Sequence, residues 1–127
     1  MGLILDAGAF VAVERGDREI AALVKRERLA GRSPTSHGGV VGQVWRGGAG
    51  RQAMVARLLA GMEIRSLDAD LGKRAGVLLG LSRGADVVDA ALVCLAEDGD
   101  EILTSDPGDL VELARNAGVH VDLIAMH

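Results

Sequence analysis

The sequence predicts an α/β fold, a three-layer sandwich around a mostly parallel central sheet. Two observations carry this. Short apolar runs suited to buried strands alternate along the chain with longer segments whose apolar residues recur at helical spacing. The first of those runs, LIL at residues 3–5, is apolar at every position, the pattern of a strand covered on both faces. No linker, internal repeat or low-complexity segment interrupts the alternation, so residues 1–127 read as a single domain.

Each element has its own signal. After LIL, AGAFVAVERG reads as a short helix. DREIAALVKRERLAG follows, with Ile20, Leu23, Val24 and Glu27 at helical spacing, Asp17 placed to cap and Gly31 to stop it. SPTS is a turn or short strand. GVVGQVWRGGAG, residues 39–50, reads as an amphipathic helix closing on glycines, and RQAMVARLLAG as another helix. MEIRSL is a loosely apolar strand. DADLGKRAGVLLGLS is a helix capped by Asp68 or Asp70. Residues 86–97, DVVDAALVCLAE, are apolar enough to require a largely buried helix. EILTS is a strand, DPGDLVELARNAG a helix with Pro107 in its first turn and Gly118 past its end, and VHVDLIAM the last strand.

Composition bounds the function. The net charge of −4 argues against a strongly basic nucleic-acid module, though not against a local basic patch. Phe10 and Trp45 are the sole aromatics, too few for a base-stacking platform. One cysteine, Cys94, allows neither an internal disulfide nor a multi-cysteine zinc site, and its apolar helix suggests an inert core thiol. No apolar run approaches the roughly 20 residues that span a bilayer, and the N-terminus lacks a basic signal-peptide region, so a cytoplasmic location is expected.

The acidic residues are the chemical signal. In parallel α/β sheets, sites gather beyond the carboxyl ends of the strands. Asp6 lies at the end of the first strand, Asp106 follows EILTS, and Asp109 lies one turn further. Asp86 and Asp89, three apart, share one face near the start of a buried helix. If the two strands are neighbours, these carboxylates converge. Two like charges about 4 Å apart repel by roughly 4 kcal/mol at an effective dielectric near 20. Either their pKa values rise or a cation sits among them. Hard oxygen ligands favour Mg²⁺ or Mn²⁺, ions suited to phosphodiester hydrolysis. Plainer roles exist beside these. Asp6 and Asp86 can cap the helices that follow them, Asp106 before Pro107 can do the same, and Asp109 fits the third position of a capping box. Asp89 lies within an apolar helix, where a functional role is favoured over a surface one.

ILDAGAF, VVGQVWRGG, DVVDAALV and ILTSDPGDL, in this order, resemble the motifs of the PIN-domain family, and in particular the VapC-type toxins of bacterial toxin–antitoxin pairs. The resemblance spans essentially the whole chain. It implies a PIN-like fold and a ribonuclease dependent on Mg²⁺ or Mn²⁺, with RNA as substrate. It also implies a homodimer and a small cognate antitoxin whose tail occupies the active-site groove. By position, Asp6 corresponds to the first acid, Asp89 to the third, and Asp106 or Asp109 to the fourth. The resemblance makes Asp6, Asp89 and Asp106 the metal ligands and Thr104 a hydroxyl that orders the site.

The second acid of that pattern, a Glu, is here Gln43. Its amide oxygen can accept or ligate but brings no charge and cannot serve as a general base. Three readings follow: a subgroup that binds metal with fewer acids, a weakened or inactive member kept for RNA or protein binding, or a sequence altered to silence activity. Gly8 also departs from the pattern, which has a small hydroxyl or amide residue there to support the first acid. Arg46, Arg51, Arg57 and Arg83 could contact phosphates, although a solvated face is favoured for each. His37, His120 and His127 show no metal-ligand spacing and read as surface residues, and Trp45 as core or dimer interface. An aspartyl-phosphate protein is disfavoured. A receiver needs adjacent acids after its first strand, and the phosphatase pattern needs a second Asp where Gly8 stands.

Overall fold

Leu3, Ile4 and Leu5 are buried along their whole length because β1 (Leu3–Leu5) lies in the middle of the sheet. The structure, a computed structural model, describes residues 1–47, 50 and 52–126. Among these, β2 (Thr35–His37), β3 (Glu63–Arg65), β4 (Glu101–Thr104) and β5 (Asp122–Ala125) complete a parallel sheet of order β3-β2-β1-β4-β5. Ile4 pairs with Thr35 on one side of β1, and Leu5 with Leu103 on the other. The sequence predicts this α/β class and its parallel sheet.

The chain first grows outward from β1 through β2 to β3, then crosses to lay β4 on the opposite side of β1. Right-handed crossovers in opposite directions place helices on opposite faces of a sheet. Accordingly α1 (Ala7–Glu14) packs on α2 (Arg18–Leu29), α3 (Gly38–Val44) and α4 (Ala53–Ala60). On the other side α6 (Val87–Leu95) packs on α5 (Ala69–Gly80) and α7 (Pro107–Ala117). The order reverses between β1 and β4, and it is at such a reversal that the loops beyond the strands part to leave a crevice.

The helices begin and end where local chemistry dictates. Asp17 accepts the Ile20 N–H at 3.1 Å and Asp68 the Leu71 N–H at 2.9 Å, each satisfying a donor left orphaned in a first turn. Gly118 ends α7 in the left-handed conformation at φ 71°, which a residue without Cβ adopts at least cost. On α2 the buried stripe contains an acid, Glu27. Its carboxylate is fully enclosed and receives two bonds of 3.0 Å from the Arg32 guanidinium, the pairing that a buried charge requires. β3 is an edge strand exposed at all three residues, which accounts for the loose apolar pattern of MEIRSL. No helix among the described residues is long and apolar enough to cross a membrane.

Candidate active site

Asp6 stands at the end of β1, and its backbone N–H still bonds to Leu103 of β4. Although it follows an apolar strand, the side chain is only 7% exposed. Such a carboxylate needs partners. One oxygen accepts the Ala9 N–H at 3.0 Å, capping α1, and the other accepts the Ser105 N–H at 3.2 Å from beyond β4. Asp6 is thus both a helix cap and a bridge between the two strands that flank the crevice. Burial raises its pKa above the ordinary value, and hydrogen bonds from the Thr104 side chain and from the backbone at Ala9, Ser105 and Gly8 oppose the rise.

Thr104 ends β4 and is completely buried. Besides supporting Asp6, its hydroxyl oxygen accepts the Asp106 N–H at 2.9 Å. One hydroxyl therefore orients the first acid and fixes the turn bearing the next. Asp106 occupies the N-cap position of α7, but its side chain forms no capping bond. Asp109 stands one turn on, and the neighbouring Asp106 carboxyl raises its pKa. The plain capping role open to Asp106 in the sequence is not the one it takes.

From the opposite side α6 presents Asp86 and Asp89. Asp86 is the cap, accepting the Asp89 N–H at 2.9 Å. Asp89, three residues into the helix, is half-buried, and its pKa is pushed up to about 6. Burial is the largest cause, followed by the charges of Asp86, Asp6, Asp109 and Asp106 in that order. The charges of the acids on β1, α6 and α7 therefore act on one another where the strand order reverses. As they stand, no three or more of the described His, Cys, Asp and Glu side chains close up to grip an ion. The donor set fits a hard divalent cation in kind, since every member is a carboxylate oxygen and their mutual repulsion favours a bound positive charge.

Gln43 lies exposed on α3, and among the described residues no hydrogen bond ties its amide to the aspartates. Gly8 has a local reason absent from the sequence pattern. A Cβ there would meet the Ser105 Oγ at 2.5 Å and the Ser105 Cβ at 2.8 Å, so the Ser105 side chain fills the space that a residue-8 side chain would need. Arg46 is turned to another purpose, its guanidinium donating to the Gly42 and Trp45 carbonyls at the end of α3. Arg51 and His127 lie outside the described residues.

Two expectations are corrected. Trp45 is 38% exposed and so is not core within this chain. His37 is not a surface residue: it is fully buried at the end of β2, its ring nitrogens hydrogen-bonded to Gly39 of α3 and Val88 of α6. The sequence reading also passed over Ser105, whose contribution to Asp6 is a backbone N–H that no side-chain pattern announces.

No family model matches the chain, and no curated protein matches it. Among solved structures, a chain of VapBC2 from Rickettsia felis, determined bound to a DNA fragment from their promoter, superposes with a TM-score of 0.69. The match covers 98% of this chain and 99% of that one at 13% sequence identity. At that identity the likeness shows the fold alone, a PIN-like parallel α/β sandwich as in that neighbour.

Proposed function

We propose that the chain is a divalent-metal-dependent endoribonuclease, the toxin of a toxin–antitoxin pair. The observation that carries this reading is the cluster of Asp6, Asp89, Asp106 and Asp109 where the strand order reverses, with the Asp89 pKa pushed up to about 6 by burial and its acidic neighbours. The VapBC2 neighbour supports the toxin setting and a small cognate antitoxin as partner. A homodimer belongs to the same proposal.

Asp6, Asp89 and Asp106 would hold Mg²⁺ or Mn²⁺. When bound, the ion supplies activation of a water and neutralisation of charge on the phosphate. The chain supplies orientation. The Ala9 and Ser105 N–H groups fix both oxygens of Asp6, and the Thr104 hydroxyl holds Asp6 and the Asp106 turn in register. The Asp106 carboxyl raises the pKa of Asp109 beside it, so the cluster gathers negative charge that a bound cation would offset. Gln43 on α3 would offer a neutral amide, able to accept a hydrogen bond from a water or a ribose hydroxyl.

A second reading has its own observation. Gln43 brings no carboxylate from α3, so the cluster draws its acids from β1, α6 and α7 alone. This favours a disabled PIN-fold protein that binds RNA or a protein partner without cutting. Cleavage of a mixed RNA pool with Mn²⁺ separates the two, using the antitoxin-free protein beside Asp6→Ala and Gln43→Glu. The nuclease reading expects cutting that Asp6→Ala abolishes. Cutting by Gln43→Glu alone identifies the disabled form, and silence from all three refutes the nuclease.

A further inference from the structure

His37 is a buried polar group that the cluster of acids does not account for. Its imidazole is fully enclosed at the end of β2. The Gly39 N–H donates to Nδ1 at 3.0 Å, and Nε2 lies 2.8 Å from the Val88 carbonyl. An N–H can only donate and a carbonyl can only accept. Nδ1 is therefore bare, Nε2 carries the proton, and the ring is neutral.

The two bonds join separate parts of the site. Gly39 lies in the first turn of α3, the helix of Gln43, and Val88 lies in the first turn of α6, immediately before Asp89. The packing is built around the ring. A Cβ on Gly39 would meet the His37 Cε1 at 2.8 Å and Nδ1 at 3.0 Å, so position 39 has room for the imidazole only as glycine. The preceding residue repeats the device toward the central strand, where the buried Ser36 hydroxyl donates at 2.8 Å to the Leu5 carbonyl, one residue before Asp6. Ser36 and His37 thus anchor the end of β2 to the backbone beside two of the acids.

We infer that His37 is a positioning residue, a rigid neutral strut between α3 and the first turn of α6 that fixes where Asp89 stands relative to the other acids. The inference rests on the nuclease reading for its consequence but not for its geometry. Outer-shell groups that orient ligands typically change metal affinity 10- to 100-fold when removed.

Two substitutions divide the two bonds. In His37→Asn the amide oxygen can still cap α3 through the Gly39 N–H, but the side chain is too short to reach Val88. In His37→Gln the longer amide reaches Val88. Mn²⁺ affinity of the folded proteins is measured together with amide exchange at Asp89 and Ala90 in metal-free samples. His37→Asn is expected to bind Mn²⁺ at least about 10-fold more weakly and to exchange faster at both amides, with His37→Gln within about threefold of wild type. Gly39→Ala, which crowds the ring, should reproduce the His37→Asn result if the asparagine variant fails to fold. Unchanged Mn²⁺ affinity in His37→Asn, beside a wild type that binds the ion, overturns the inference. If the wild type binds no Mn²⁺, the nuclease reading falls, and amide exchange then decides the strut: faster exchange in His37→Asn upholds it and equal exchange overturns it.

Discussion

Replacing Asp89 by Asn should stabilise the metal-free protein, and only above a defined pH. The Asp89 pKa rises from 3.8 to about 6, first through burial and then through Asp86 and the other acids. The folded chain therefore holds this proton more tightly than the unfolded one. Stability from that preference is complete below about pH 4 and is lost as pH rises through about 6. At about 1.4 kcal/mol per pH unit the nominal effect is about 3 kcal/mol. Asp89 is only half-buried, so solvent screening lowers this to about 1 kcal/mol. Asn is neutral at every pH and lacks the loss. At pH 8 with EDTA, Asp89→Asn should melt about 4 °C above wild type, and at pH 4 the two should coincide. Millimolar Mg²⁺ should reverse the order at pH 8, because an ion that binds the native anion stabilises the wild type by mass action. Thermal unfolding at the two pH values tests this. An advantage of equal size at pH 4 and pH 8, or none at pH 8, would refute the electrostatic account of the cluster.

Thr104→Val removes the hydroxyl that serves both Asp6 and the Asp106 N–H. Urea titration should show a loss of about 1–3 kcal/mol, and Mn²⁺ titration an affinity reduced by about 10-fold or more. Gly8→Ser places a side chain against Ser105 and should lower the melting temperature, while the double variant with Ser105→Gly should recover most of the loss; independent, additive effects would show that the two positions do not compete for one space. Arg46→Ala loses two bonds to the end of α3 and should cost about 1 kcal/mol in thermal unfolding with RNA cleavage unchanged. A large fall in cleavage would mean that the guanidinium serves the substrate after all.

Much of the fold was legible because its signals are local. LIL is buried throughout and EILTS at Ile102, Leu103 and Thr104, and both read as strands without reference to anything distant. Asp17, Asp68 and Asp86 announce their helices as side chains that cap the backbone three residues on. The grouping of Asp6, Asp89, Asp106 and Asp109 was legible from motif order, since a parallel sheet collects residues at the carboxyl ends of its strands. What escaped was decided by partners far along the chain. His37 sits in a polar, glycine-flanked stretch, and its burial depends on a carbonyl 51 residues away. Gly8 looked like a lost hydroxyl because nothing nearby reveals that Ser105 occupies its space. Asp106 before a proline has the sequence of a cap, yet its side chain makes no capping bond and its backbone N–H is held by the Thr104 hydroxyl.

The bond from Ser105 to Asp6 spans 99 residues, and this has a consequence during synthesis. Asp6 is synthesised 99 residues before Ser105, which lies in the segment that completes its surroundings. Until β4 docks beside β1, the first acid has its α1 cap but neither Ser105 nor Thr104, and the acids of α7 do not yet exist. Whatever chemistry the cluster performs therefore waits for β4 and α7 to be made and docked. A chain that stops before β4 carries Asp6 without the Ser105 N–H and Thr104 hydroxyl that fix it.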